Sequence, residues 1–185
     1  MNDFNYKEQQ QMKKHALLAC APALIFSLAA SAETVNVTMN SIDAKGVGTA
    51  IGTVELSDTP KGLSIKPALS GLTAGEHGFH VHQNPNCGPA EKDGKMGAGL
   101  AAGGHYDPKD TKQHTGPNGQ GHMGDLPVLA VGADGKANTA TTVAHLKVAD
   151  VKGRSLMIHE GGDNFSDQPK ALGGGGGRVA CGLIK

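Results

Sequence analysis

From Thr34 onward the chain is written as short runs of alternating apolar and polar residues, each cut off by glycine, proline, aspartate or asparagine. This punctuation constrains the fold more than any other feature. The runs Thr34–Met39, Val47–Leu56, Gly78–His82, Thr139–Val143 and, more loosely, Arg178–Ile184 carry the two-residue period of half-buried strands. Nowhere after residue 32 does a 3.6-residue apolar period last for three turns, so little helix is expected. The 28 glycines follow no triplet period, which excludes collagen, and they fall between the strand-like runs. Ala133-Asp134-Gly135-Lys136, between Val128–Val131 and a Thr-rich run, reads as a hairpin turn. The reading is an all-β domain, an antiparallel sandwich or flattened barrel.

The first 32 residues read instead as an address. Lys13 and Lys14 precede an apolar run from Ala16 to Ala30, and Ala30-Ser31-Ala32 supplies the small residues a signal peptidase accepts. Cleavage is expected after Ala32, giving a signal peptide over 1–32, a single domain over 33–185 and a periplasmic location. Met1–Gln11 is too polar for a usual n-region, which leaves Met12 as an alternative start. Leu17-Leu18-Ala19-Cys20 resembles a lipidation box but follows the lysines too closely to leave room for an apolar core. After cleavage no stable membrane insertion is expected. Lys plus Arg (17) balance Asp plus Glu (17), which disfavours nucleic acid as a partner and points to a small one. Cys87 and Cys181 are the two cysteines left after the leader, and in an exported chain such a pair reads as a disulfide.

Two stretches are too long for turns. Gln83–Leu126 and Glu160–Gly177 are rich in glycine and polar residues, the second ending in five consecutive glycines, and loops of this length in a small domain are usually functional. Of the nine histidines, the metal-ligand candidates cluster in and beside them. His80 and His82 in Gly-Phe-His-Val-His share one face of a strand, so one metal could be gripped by both, although an isolated His-x-His is more often just two surface or core histidines. His105, His114, His122 and Asp125 follow at spacings x8, x7 and x2 in a loop with few apolar residues to hold it down. Three imidazoles and a carboxylate form the closed four-ligand set of structural zinc. His159 ends the apolar run Leu156-Met157-Ile158 and, with His80 and His82, completes an open imidazole set suited to copper. His77 and His145, taken singly, read as structural histidines.

The full order, His80-x-His82-x22-His105-x8-His114-x7-His122-x2-Asp125-x33-His159, together with Gly-Arg178-Val-Ala-Cys181-Gly, resembles the copper,zinc superoxide dismutases of the bacterial exported kind. Gly-Phe-His-Val-His, Gly-Gly-His-Tyr-Asp-Pro, His-Met-Gly-Asp-Leu-Pro and Gly-Gly-Asp-Asn carry the resemblance across essentially all of residues 33–185. It implies a Greek-key β-sandwich of about eight strands with two long functional loops. It also implies one copper per subunit, held by His80, His82, His105 and His159, and one zinc, held by His105, His114, His122 and Asp125. His105 would then serve both metals, one ring nitrogen to each. Asp163 matches the family's carboxylate that orients His80 and His114. Arg178 matches the guide for the superoxide anion, and Cys87–Cys181 the family's disulfide.

The implied reaction is dismutation of superoxide to O₂ and H₂O₂, with His105 and Arg178 as catalytic residues and protection of the cell envelope as the purpose. The alternative is a non-catalytic periplasmic protein that buffers copper and zinc, which would need neither Arg178 nor a bridging His105. A zinc hydrolase would need an open zinc position, and the four-ligand set offers none. One departure from the family's eukaryotic members is the uncharged stretch Ala171–Gly177 before Arg178, which leaves Lys92 and Lys95 as candidates for steering the anion. Family members occur as homodimers and monomers, so both states remain open.

Overall fold

Alternation translates directly into strands in the computed structural model, which describes residues 33–185; the expected signal peptide, its cleavage site and Cys20 lie outside the described residues. The strands are β1 (Thr34–Asp43), β2 (Gly46–Thr59), β3 (Gly62–Leu69), β4 (Gly75–His77), β5 (Phe79–His82), β6 (Ala90–Lys92), β7 (Lys95–Gly97), β8 (Leu129–Val131), β9 (Thr141–Val143), β10 (Arg154–His159) and β11 (Arg178–Ile184). Among the described residues helix is confined to one turn, α1 (Val148–Val151), and two 3₁₀ turns at Leu100–Ala102 and Leu172–Gly174. Among the described residues no helix is long and apolar enough to cross a membrane.

Seven strands form one antiparallel sheet in the order β5-β10-β11-β1-β2-β3-β9. The chain returns β11 to lie beside β1 and carries β5 to the far edge beside β10, so neighbours in space are distant in sequence, the mark of a Greek-key connection. β4 pairs with β8, and only Gly78 separates β4 from β5. Taken as one interrupted strand, β4 and β5 bring the framework to the expected eight, with β6 and β7 forming a small hairpin inside the first loop.

Two details differ from the sequence reading. The turn at 132–136 forms, with Gly132 N–H donating to the Lys136 carbonyl at 2.8 Å. It does not join β8 to β9, because β8 goes to β4 and β9 goes to β3. β3 itself gives no clean alternation, since Gly62–Ile65 are all buried and Pro67 interrupts the run. Pro67 is tolerated because it falls in a gap on that side of β3, between Leu63–Ile65, which β9 covers, and Leu69, which bridges to Ala137.

The core lies on the inner face of the sheet. Val37, Val54, Leu56, Ile65, Phe79, Val81, Leu156 and Ile158 are among its members, each essentially without solvent exposure. A smaller cluster of Ile42, Cys87, Ala102, Met157 and Cys181 sits on the outer face. The Cys87–Cys181 disulfide runs through it, joining the first long loop to β11 across 94 residues. Closing a loop of that length is worth about 4 to 5 kcal/mol in the chain-entropy account.

Candidate metal centre

The period of two decides where the first histidines go. Phe79 and Val81 enter the core, so His80 and His82 turn to the outer face of β5. β10 pairs with β5 through Met157 opposite His80 and Ser155 opposite His82, and the same alternation sends His159 outward beside them. On a bare sheet face these rings would be wet, yet His80 and His82 are 0% exposed and His159 6%.

The first loop supplies the cover. It runs along the free edge of β5, with Val81 N–H donating to the Gly124 carbonyl (2.8 Å), Tyr106 N–H to Val81 (2.8 Å) and Leu126 N–H to Phe79 (3.2 Å). These bonds satisfy an edge that would otherwise present unpaired backbone groups, and they set His105 opposite His82 and Asp125 opposite His80.

The ring nitrogens then sort into two sets. His82 Nδ1–H donates to the Gly103 carbonyl at 2.9 Å and His159 Nδ1–H to the Gly176 carbonyl at 3.4 Å, which leaves both Nε2 atoms as lone-pair donors. Those two Nε2 atoms face each other at 3.3 Å. Two lone pairs at that distance repel unless a cation lies between them. His80 Nε2–H donates to Asp163 Oδ2 at 2.7 Å, freeing Nδ1, and His105 Nε2 has no partner. Donor atoms of His80, His82, His105 and His159 lie within 4.8 Å of one another.

On the other side of His105, Nδ1 lies 2.9 Å from Asp125 Oδ1. His114 Nε2–H donates to Asp163 Oδ1 at 2.7 Å, so its Nδ1 lone pair meets Asp125 Oδ2 at 2.8 Å without hydrogen-bond geometry. His122 Nδ1 stands 3.5 Å from Asp125 Oδ1. The tight grouping on this side comprises His80, His105, His114 and Asp125, with His122 just beyond it.

Five buried polar atoms here lack a hydrogen-bond partner: His80 Nδ1, His105 Nε2, His114 Nδ1, His122 Nδ1 and Asp125 Oδ2. Each would cost about 1–3 kcal/mol if left unsatisfied, and native proteins rarely tolerate such clustering. All five belong to residues expected to bind metal, and the opposite ring nitrogens of His80 and His114 are already fixed by Asp163, that of His105 by Asp125. The residues present therefore fit two cations sharing one imidazole.

The electrostatics agree. Burial holds His105 down to about 4 and His159 down to about 3, and burial with the charges of His105 and Arg178 depresses His82 well below the usual imidazole range. These rings are neutral at pH 7, the form that binds metal. His114 goes the other way: burial opposes its charge, but the Asp125 and Asp163 carboxylates overcome it and raise the ring to about 9. Both carboxylates are held below their usual range by hydrogen bonds from these histidines, against burial. A ring squeezed between two anions wants either a proton or a metal ion.

Arg178 reaches the same face through a backbone irregularity. Ile158 pairs with Ala180, but a bulge shifts the register so that His159 pairs with Arg178. Without it, Arg178 would share the inward face of Ala180. Its guanidinium donates to the Gly99 carbonyl at 2.6 Å and the Gly103 carbonyl at 2.7 Å. The Gly103 carbonyl thus holds both Arg178 and His82.

The comparisons with known proteins point one way. The family model described as copper/zinc superoxide dismutase (SODC) matches residues 50–184. The chain belongs to the copper/zinc superoxide dismutase family. Cu-Zn superoxide dismutase 2 of Salmonella typhimurium is 56% identical over 170 residues, 91% of this chain and 94% of that protein. The solved Cu/Zn superoxide dismutase of Brucella abortus is 55% identical, with a TM-score of 0.81 over 83% of this chain and 100% of that one. The monomeric copper, zinc superoxide dismutase of Salmonella enterica is 56% identical, with a TM-score of 0.75 over 83% and 100%.

Within this superoxide dismutase fold His77 takes the structural place expected of it, and His145, expected to do the same, does not. His77 is buried, with both ring nitrogens against carbonyls, His159 O at 2.6 Å and Thr73 O at 2.8 Å. His145 is exposed, with only a 3.5 Å approach to Met123 O. Lys92 and Lys95 pair across the exposed β6–β7 hairpin. Sequence reasoning missed the carbonyls of Gly99 and Gly103, since any residue carries one. The left-handed φ values at these positions, 61° and 76°, are the reason glycines flank the turn.

Proposed function

We propose that this protein is a periplasmic superoxide dismutase that binds copper through His80, His82, His105 and His159 and zinc through His105, His114, His122 and Asp125. The observation that carries the reading is His105: its Nδ1 faces Asp125 while its buried Nε2 joins His80, His82 and His159. Only an imidazole offers two opposed donor atoms on one rigid ring. Copper supplies the one-electron couple by which one superoxide is oxidised to O₂ and a second is reduced, with two protons, to H₂O₂.

The chain's own residues do the rest. Arg178 attracts the anion and orients it, because two carbonyls fix the guanidinium on the side of His159. His105 Nε2 is the atom that holds a proton between the half-reactions and passes it to the reduced product. Asp163 keeps His80 and His114 turned with their Nδ1 atoms inward. The clamped Arg178 favours the enzyme over the buffering alternative, which has no use for a guide. The monomeric state of the Salmonella enterica relative supports a monomer here. The leader over 1–32, with cleavage after Ala32, supports export and defence of the envelope. The test is metal content by mass spectrometry with superoxide removal measured on the same sample. One copper and one zinc per chain, with activity tracking copper, is expected; metal-loaded protein without activity would leave only the buffer.

A further inference from the structure

Asp167 belongs to neither donor set, yet it joins the two loops that carry them. Its Oδ2 accepts the backbone N–H of His114, in the first loop, at 2.9 Å. Its Oδ1 accepts the N–H of Leu172, in the second, at 3.1 Å. Leu172 stands in the left-handed region at φ 54°, a conformation a Leu holds only when its surroundings impose it.

The next residue explains why the position matters. Gly173, at φ 69°, is buried so close over the Asp163 carboxylate that a Cβ would run into it and would come within 2.9 Å of His114 Nε2. Its N–H donates to the Ser166 carbonyl (2.9 Å) and its carbonyl accepts from Asn164 (3.2 Å), closing the loop on itself. Gly173 is thus the cover over the hydrogen bond between Asp163 and His114, and Asp167 fastens the residue immediately before it. Phe165 adds an apolar contact between the same loops, its ring lying where a Cβ on Gly116 would sit.

The geometry points to Asp167 as a positioning residue of the zinc site, whose single carboxylate locks the His114 backbone to the Leu172–Gly173 cover. The lock sets the approach of His114 Nδ1 toward Asp125 and keeps water from the Asp163 bond. This role rests on the zinc assignment proposed above, and it predicts an effect on metal retention separate from fold stability.

Cobalt(II), which gives a visible band in a tetrahedral nitrogen and oxygen site, is the probe. The metal-free full chain is loaded with cobalt(II), its spectrum recorded, and release followed in excess chelator for the parent, Asp167→Asn, Asp167→Ala and Val54→Ala. Asn keeps one acceptor and turns an amide on the other N–H, so release should quicken roughly tenfold, and Ala should release faster still, in the range found for residues that orient metal ligands. The cobalt band should shift or weaken in both. Val54→Ala opens a cavity in the main core at a residue that makes none of these contacts, so it should lower the melting temperature while leaving band and release at parental values. Parental band and release in both Asp167 variants would overturn the role, as would equal acceleration by Val54→Ala. A parent with no tetrahedral cobalt band would overturn the zinc assignment along with it.

Discussion

Replacing Arg178 by Ala removes the guanidinium held beside the open imidazole set while sparing every proposed metal ligand. A unit charge attracts a superoxide anion at 4 Å by about 1 kcal/mol in water and about 4 kcal/mol at an effective dielectric of 20. Arg178 is half-buried, so the loss falls between these limits. At about 1.4 kcal/mol per decade this is roughly a ten- to hundredfold fall in rate. Gly99 and Gly103 lose their guanidinium contacts, but the Gly103 carbonyl keeps His82, so copper content should hold. Arg178→Lys should fall between, since an ammonium keeps the charge but cannot span two carbonyls as a planar fork. Salt should slow the parent more than the Ala variant, because exposed charge attraction is screened over about 10 Å at 0.1 M. The assay is superoxide removal at several ionic strengths on samples matched for copper. A fully copper-loaded Ala variant as fast as the parent at low salt would refute the guide role.

His105→Ala should weaken both metals together and let each bind independently, as followed by titration calorimetry; unchanged affinities would refute the shared imidazole. Asp125→Asn should lower zinc occupancy while most copper stays bound, because the carboxylate faces only one set, and equal loss of both by mass spectrometry would show the partition to be wrong. The metal-free protein should lose stability steeply as pH falls from about 6.5 toward 4. Over that range the unfolded chain takes up protons at His80, His82, His105 and His159 that the folded chain refuses. With His105 held down to about 4, that ring alone contributes about 3 kcal/mol. His114, raised to about 9, has the opposite sign: its contribution is present below pH 6.5 and fades as pH rises through 9. A flat melting profile of the metal-free protein between pH 6.5 and 4 would contradict these neutral buried rings.

Much of the site was legible because its information is local. A period of two sends His80 and His82 to one face whatever the sheet does later, and the Gly-Gly-His-Tyr-Asp-Pro and His-Met-Gly-Asp-Leu-Pro segments announce donors in loops too polar to fold unaided. Strand identity was legible where alternation was clean, as in β1 and β2, and failed at β3, whose first half is buried on both faces. Partnership was not legible: the Asp-Gly turn at 134–135 forms, yet β8 and β9 leave it for different neighbours, because pairing rewards burial across the sheet more than proximity along the chain.

The sequence by itself determined an all-β chain, two long polar loops, the candidate donor residues and a pair of cysteines after residue 32, since composition and short periods specify these without reference to distant segments. Tertiary structure alone decided how they meet. The bulge between Ile158 and His159 turns Arg178 outward, the free edge of β5 draws in the backbone around His105 and Asp125, and Asp163 spans 83 residues to His80 and 49 to His114. Each depends on a register or an unsatisfied edge that exists only once the sheet has assembled, and no spacing along the chain encodes it.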